Sequence, residues 1–154
     1  MPTSPSSSSS FTIRPATPAD IDAIVDLDTR ITGMPKREYW QGLFQRYGAP
    51  GAEGFLLVAM RDDAFLGFIT GEIRAWEFGS PPCGWIFALG VEPELRLEGI
   101  GTKLFDALCD CFKKAGVTKI RTMIARDAQL VMSYFRSLGL RAGPFIELEK
   151  DLDE

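Results

Sequence analysis

Residues 91–108, VEPELRLEGIGTKLFDAL, compress a strand end, a turn with two glycines and the opening of an amphipathic helix. The residues leading into them, CGWIFALGV (83–91), form an apolar run of strand length that Pro93 ends. Trp85, Phe87, Leu89 and Val91 alternate with Ile86, Ala88 and Gly90, so both faces read as buried and the strand as central. From about 99 to 115, Ile100, Leu104, Ala107, Leu108, Cys111 and Phe112 share one side of a helix that Gly116 closes. A helix start exposes unpaired backbone N–H groups and the positive end of the helix dipole, which together suit an anion. Gly99 and Gly101 let a ligand approach those groups without a Cβ in the way; Arg96 adds a charge-assisted contact and Thr102 a hydroxyl. The competing reading is a tight turn shaped by two glycines, with Arg96 merely solvated.

Working outward, FTIRPA reads as a short strand and TPADIDAIVDLDTR as a helix capped by Thr17, with Pro18 at its first position. A second helix covers roughly 35–47. GFLLVAM and AFLGFITGEIRAWEFG read as strands joined by the charged turn Arg61-Asp62-Asp63. After the central strand and its helix come TKIRTMIA as a strand, AQLVMSYFRSL as a helix ending at Gly139, and FIELEKDL as a final strand. The order βααβββαβαβ contains one βαβ crossover, so the sheet is mixed within an α/β (α+β type) domain.

The 154 residues suffice for one domain with one core, taken as 11–154. Residues 1–10, MPTSPSSSSS, lack the basic and apolar regions of a secretory signal and read as a disordered Ser/Pro-rich leader. With 45% hydrophobic and 25% charged residues, a wholly disordered chain is excluded. The formal net charge of −4 gives no general pull toward nucleic acid or an anionic membrane. No apolar run reaches the ~20 residues of a membrane span. Three cysteines, at 83, 109 and 111, fit a reducing cytoplasm and read as small buried hydrophobes. There is no histidine, which removes Ser–His triads and His-based metal hydrolases; no metal site is expected. Acid–base work falls to Glu, Asp, Tyr, Lys, Cys or water.

Two phosphate loops fail on inspection. A P-loop needs glycine where Arg96 stands, and G-x-G-x-x-G needs a third glycine where Leu104 stands. VEPELRLEGIG instead resembles the coenzyme A-binding motif of the GNAT superfamily of N-acetyltransferases, [QR]-x-x-G-x-[GA] after a strand ending in V-x-P, with Arg96, Gly99 and Gly101 in the named places. YFRSLGL (134–140) resembles that family's helix-four ending, and the likeness covers residues 11–152 in element order. It implies a mixed, mostly antiparallel sheet of six to seven strands, flanked by four helices and splayed between the fourth and fifth strands. It also implies acetyl-CoA as cosubstrate. Backbone N–H groups of Arg96, Leu97, Glu98, Gly99, Ile100, Gly101 and Thr102 would bind its pyrophosphate, and the strand at Leu89, Gly90 and Val91 would pair with its pantetheine amides.

Acetyl transfer to an amine needs the ammonium deprotonated from a reference pKa near ~10.4, a donor for the tetrahedral oxyanion and an acid for the departing thiolate. A backbone N–H near Leu89 or Gly90 is the oxyanion candidate. The family's usual acid, a helix-four tyrosine, aligns with Phe135, leaving neighbouring Tyr134 as the candidate acid. Its glutamate sites fall on Met123 and Trp85, leaving Glu72 as candidate base, with Glu77 and ordered water as alternatives. Acidic and aromatic residues at Asp28, Glu38, Tyr39, Trp40, Trp76, Glu77 and Phe78 suit a cationic acceptor. A protein lysine or N-terminus is the first expectation and a small amine the second; a non-catalytic acyl-CoA-binding module is the alternative class. The expected state is a monomer or homodimer without nucleic acid or membrane partners.

Overall fold

The computed structural model describes residues 10–153; the leader reading, Ser10 apart, lies outside them. Thr12–Pro15 form β1, Ile21–Thr32 α1, Arg37–Tyr47 α2, Gly54–Arg61 β2 and Ala64–Arg74 β3. Cys83–Val91 form β4, Ile100–Lys114 α3, Ile120–Thr122 β5 and Gln129–Ser137 α4, with 3-10 turns at Pro18–Asp20, Glu77–Gly79 and Pro93–Glu98. The chain divides between Met123 and Ile124 into two compact units, the first carrying strands β1 to β5 and the second α4.

The strands lie in sequence order, β1 to β5. The first three pairings are antiparallel, and β4–β5 is parallel with α3 as the crossover. On one face of the sheet, Ile24, Leu27, Trp40 and Leu43 of α1 and α2 pack on Leu56, Val58 and Phe68. On the other lies α3, whose Ile100, Leu104, Leu108 and Phe112 are fully buried, which is the stripe its periodicity predicts. A Cβ at Gly84 would stand 2.6 Å from the Phe112 ring, so the sheet needs its bare backbone there to admit α3. Among the described residues no helix is long and apolar enough to cross a membrane.

Three local expectations change. The sheet has five strands among the described residues, not six or seven. FIELEKDL forms no strand among the described residues, and its Ile146, Leu148 and Leu152 are more than 80% exposed. Alternation supplies a face for a strand but not the neighbouring ladder that holds one. The third strand stops at Arg74 rather than running to residue 79, because Trp76 (φ 69°) and Phe78 (φ 54°) are left-handed, which no strand accommodates. The first helix is preceded by a separate 3-10 turn. There the Thr17 N–H donates to Asp20 at 2.7 Å, and Arg14 forks the same carboxylate at 2.7 and 3.1 Å.

Candidate active site

The central strand and its helix meet as the sequence implies. β4 ends at Val91, the turn Pro93–Glu98 follows, and Gly99 takes up φ 79°, ψ 11° as the N-cap of α3. Its N-cap, Gly99, has no side chain with which to cap it. Its first intrahelical bond is donated by Lys103 to the Gly99 carbonyl at 3.1 Å, so the amides ahead of it have no acceptor inside the helix. A Cβ added at Gly99 would meet no atom within 4 Å: the space in front of the helix start is open. Arg96 and Leu97 are exposed beside it, and among the described residues Arg96 makes no ion pair. Ile100 is buried and anchors the helix to the sheet, while Gly101 and Thr102 are half-buried. Arg30 of α1 forks both Glu92 oxygens at 2.9 Å, tying α1 to the strand exit.

The edge of β4 is the second half of the site. β5 pairs with Gly84, Trp85 and Ile86, whereas β3 follows β4 to Val91, so among the described residues no strand pairs with that edge of β4 beyond Ile86. The register with β3 slips by one residue at Phe87, a bulge. Its effect follows from two hydrogen bonds. Gly84 N–H donates to Lys119 on the β5 side at 2.8 Å, and Glu92 N–H donates to Leu66 on the β3 side at 2.9 Å. In an unbroken strand, residues of the same parity face the same edge. The extra residue inverts that phase, so beyond the bulge Leu89 and Val91 turn their main-chain groups to the β5-side edge, and Gly90 turns toward β3. The side of Gly90 where a Cβ would stand is filled by Phe68 and Ile31.

On the α1/α2 face, Glu72 lies directly across from Trp85. Its Oε1 accepts the Tyr47 hydroxyl at 2.6 Å, and its Oε2 lies 3.7 Å from Arg74 Nε. Tyr47 closes α2 and lays its ring where a Cβ on Gly54 would stand. Burial first, then the bond to Glu72, hold the Tyr47 phenol well above the usual tyrosine range, so it stays a donor. Arg74 stacks over Phe87, the bulged residue, at 5.3 Å. Glu72, Arg74 and Phe87 thus lie together beside the point where the β4 edge opens.

A match to the acetyltransferase (GNAT) family spans residues 21–140. The chain belongs to that family. It is 31% identical over 88 residues to mycothiol acetyltransferase of Renibacterium salmoninarum, covering 57% of this chain and 26% of that protein. It is 32% identical over 85 residues to N-alpha-acetyltransferase 30 of Schizosaccharomyces pombe, covering 55% and 56%. The chain thus spans about a quarter to just over half the length of these curated relatives. In fold it resembles aminoglycoside 6'-N-acetyltransferase AAC(6')-Ih of Acinetobacter baumannii, with a TM-score of 0.78, 19% identity, and coverage of 93% of this chain and 99% of that one.

The other candidate side chains of this GNAT-family chain have varied surroundings. Tyr134, the expected acid, is half-buried on α4 in the second unit, its ring 5.6 Å from that of Phe135, which is buried as its apolar stripe predicts. Asp28 and Trp40, expected at the acceptor, are buried instead. Asp28 accepts the Trp40 indole N–H at 3.0 Å and the Lys36 ammonium at 2.6 Å, which fastens α1 to α2. Tyr39, Trp76 and Phe78 are exposed. Arg121 is committed to Ser80 Oγ at 3.0 Å, which steadies the loop before β4. Burial above all pushes the Cys109 and Cys111 thiols up, which makes them unreactive. Sequence reasoning missed Tyr47, Arg74 and the Phe87 bulge; Gly54, unneeded in a strand unless something approaches closely, was the one available signal for Tyr47.

Proposed function

We propose that this chain is an N-acetyltransferase that moves an acetyl group from acetyl-CoA to a primary amine by direct attack in a ternary complex. One observation carries the reading: the helix start at left-handed Gly99 stands beside a stretch of β4 edge with which no described strand pairs. Amides at 96–102 with Arg96 would take the diphosphate, and Leu89 and Val91 would pair with the pantetheine amides. These features fit the ligand. The left-handed Gly99 leaves open space where a phosphate must approach, and the edge main-chain groups run in the ladder direction that a chain of amides can extend.

In this reading the amine nitrogen attacks the thioester carbon, the C–S bond breaks, and the thiolate leaves. Glu72, with Tyr47 holding one of its oxygens, takes the ammonium proton directly or through water. The Leu89 N–H faces the developing oxyanion. Tyr134 gives a proton to the thiolate and regains one from the nitrogen, which sheds its second proton as the amide forms. We place a protein lysine or N-terminus first as acceptor. Exposed Trp76 and Phe78 around Glu77 offer an apolar, acidic lip to an extended chain, and one relative is named an N-alpha-acetyltransferase. A small amine is the second reading, favoured by the relative named for mycothiol.

Free-thiol release from acetyl-CoA, measured with peptides bearing free N-termini, lysine peptides and small amines, tests the proposal. Acceptor-dependent thiol is the expected result, with Glu72→Gln lowering kcat roughly 100-fold. CoA binding with no acceptor-dependent thiol across the panel would assign the chain to a binding module instead.

A further inference from the structure

Glu98 immediately precedes Gly99, at the mouth of the helix start. A carboxylate there is itself a favourable occupant of a helix N-terminus, and beside a bound diphosphate it is a repelling charge. In the structure Glu98 is paired with a cation. Glu98 Oε1 accepts a hydrogen bond from Arg61 Nη2 at 2.9 Å. Arg61 is the last residue of β2, and its Nε donates to the Ser10 carbonyl at 3.2 Å, so two donors fix the plane of the guanidinium. The two side chains are 24% and 35% exposed, which shields the pair from part of the solvent. Arg96 on the same turn makes no ion pair among the described residues. The two cations therefore have separate tasks.

We propose that Arg61 is a positioning residue of the cofactor site, holding the Glu98 carboxylate off the start of α3 so that its amides stay open to the diphosphate. The inference rests on the reading that this helix start binds acetyl-CoA. It explains why a loop that must receive a doubly charged anion tolerates a glutamate beside its key glycine: the charge is neutralised by a residue 37 positions away in sequence.

Calorimetric titration with CoA, together with steady-state kinetics, on wild type, Arg61→Ala, Glu98→Gln and the double variant tests it. Arg61→Ala is expected to raise the Kd for CoA about tenfold while kcat at saturating acetyl-CoA stays within about twofold. The double variant is expected to return to within about twofold of wild type, and Glu98→Gln alone to bind at least as tightly as wild type. Rescue separates this role from direct contact of Arg61 with the diphosphate, which Glu98→Gln would leave unrepaired. Should Arg61→Ala melt below the assay temperature, Arg61→Gln, which keeps a neutral donor, takes its place. An unchanged Kd in the Arg61 variant, or a double variant no better than it, overturns the inference and leaves the cofactor site standing. A wild type that binds no CoA brings down both.

Discussion

Replacing Gly99 separates the two jobs a glycine can do at this position. Its φ of 79° is left-handed, and a Cβ there would meet no atom within 4 Å, so a side chain has room and the cost in the free protein is backbone strain alone. For an L-residue that strain is about 1–2 kcal/mol, partly offset by the smaller entropy of a non-glycine unfolded chain, which leaves about 1 kcal/mol net. In a chain of this size that lowers Tm by roughly 2–4 °C. Asparagine tolerates the left-handed region, so Gly99→Asn should recover much of the loss that Gly99→Ala shows. Binding should not follow stability. Either Cβ stands where the diphosphate must approach, and each charge-assisted amide bond lost is worth about 1.5–3 kcal/mol, or about 10- to 150-fold in Kd. Thermal melts and CoA titrations of both variants check this. Gly99→Asn with wild-type affinity would refute the reasoning, because glycine would then serve only the shape of the turn.

Tyr47→Phe removes the hydroxyl that holds Glu72 Oε1; it should cost about 1 kcal/mol in urea unfolding and lower kcat with little change in KM for acetyl-CoA. If kcat is unmoved, Glu72 is not the base. Asp20 titrates below the ordinary carboxylate range. Burial pushes it up, but hydrogen bonds from Arg14 and from the Thr17 N–H and hydroxyl outweigh that. Its contribution to stability is therefore full above about pH 3.9 and lost as pH falls through the lower folded value, and Asp20→Asn should flatten that part of an acid-unfolding profile. Tyr134→Phe should lower kcat at saturating substrates; kinetics indistinguishable from wild type would remove it as the acid.

Much of this chain was legible from local pattern alone. The limits of β4, the apolar stripe of α3, and Gly99 as the hinge between them follow from periodicity and from glycine and proline, because each is decided by residues within a turn or two of one another. Composition settled as much by omission, since a chain without histidine cannot run imidazole chemistry. Only the tertiary structure decided the bulge at Phe87, the reach of Tyr47 to Glu72 across 25 residues and of Arg61 to Glu98 across 37, and the burial of Asp28 and Trp40 against each other. Only it ended β3 at Arg74 and kept FIELEKDL from forming a strand among the described residues. A strand's phase, a carboxylate's partner and a ladder's length depend on which backbone lies alongside. That neighbour is chosen by packing between distant segments, and nothing in the residues of either segment alone records it.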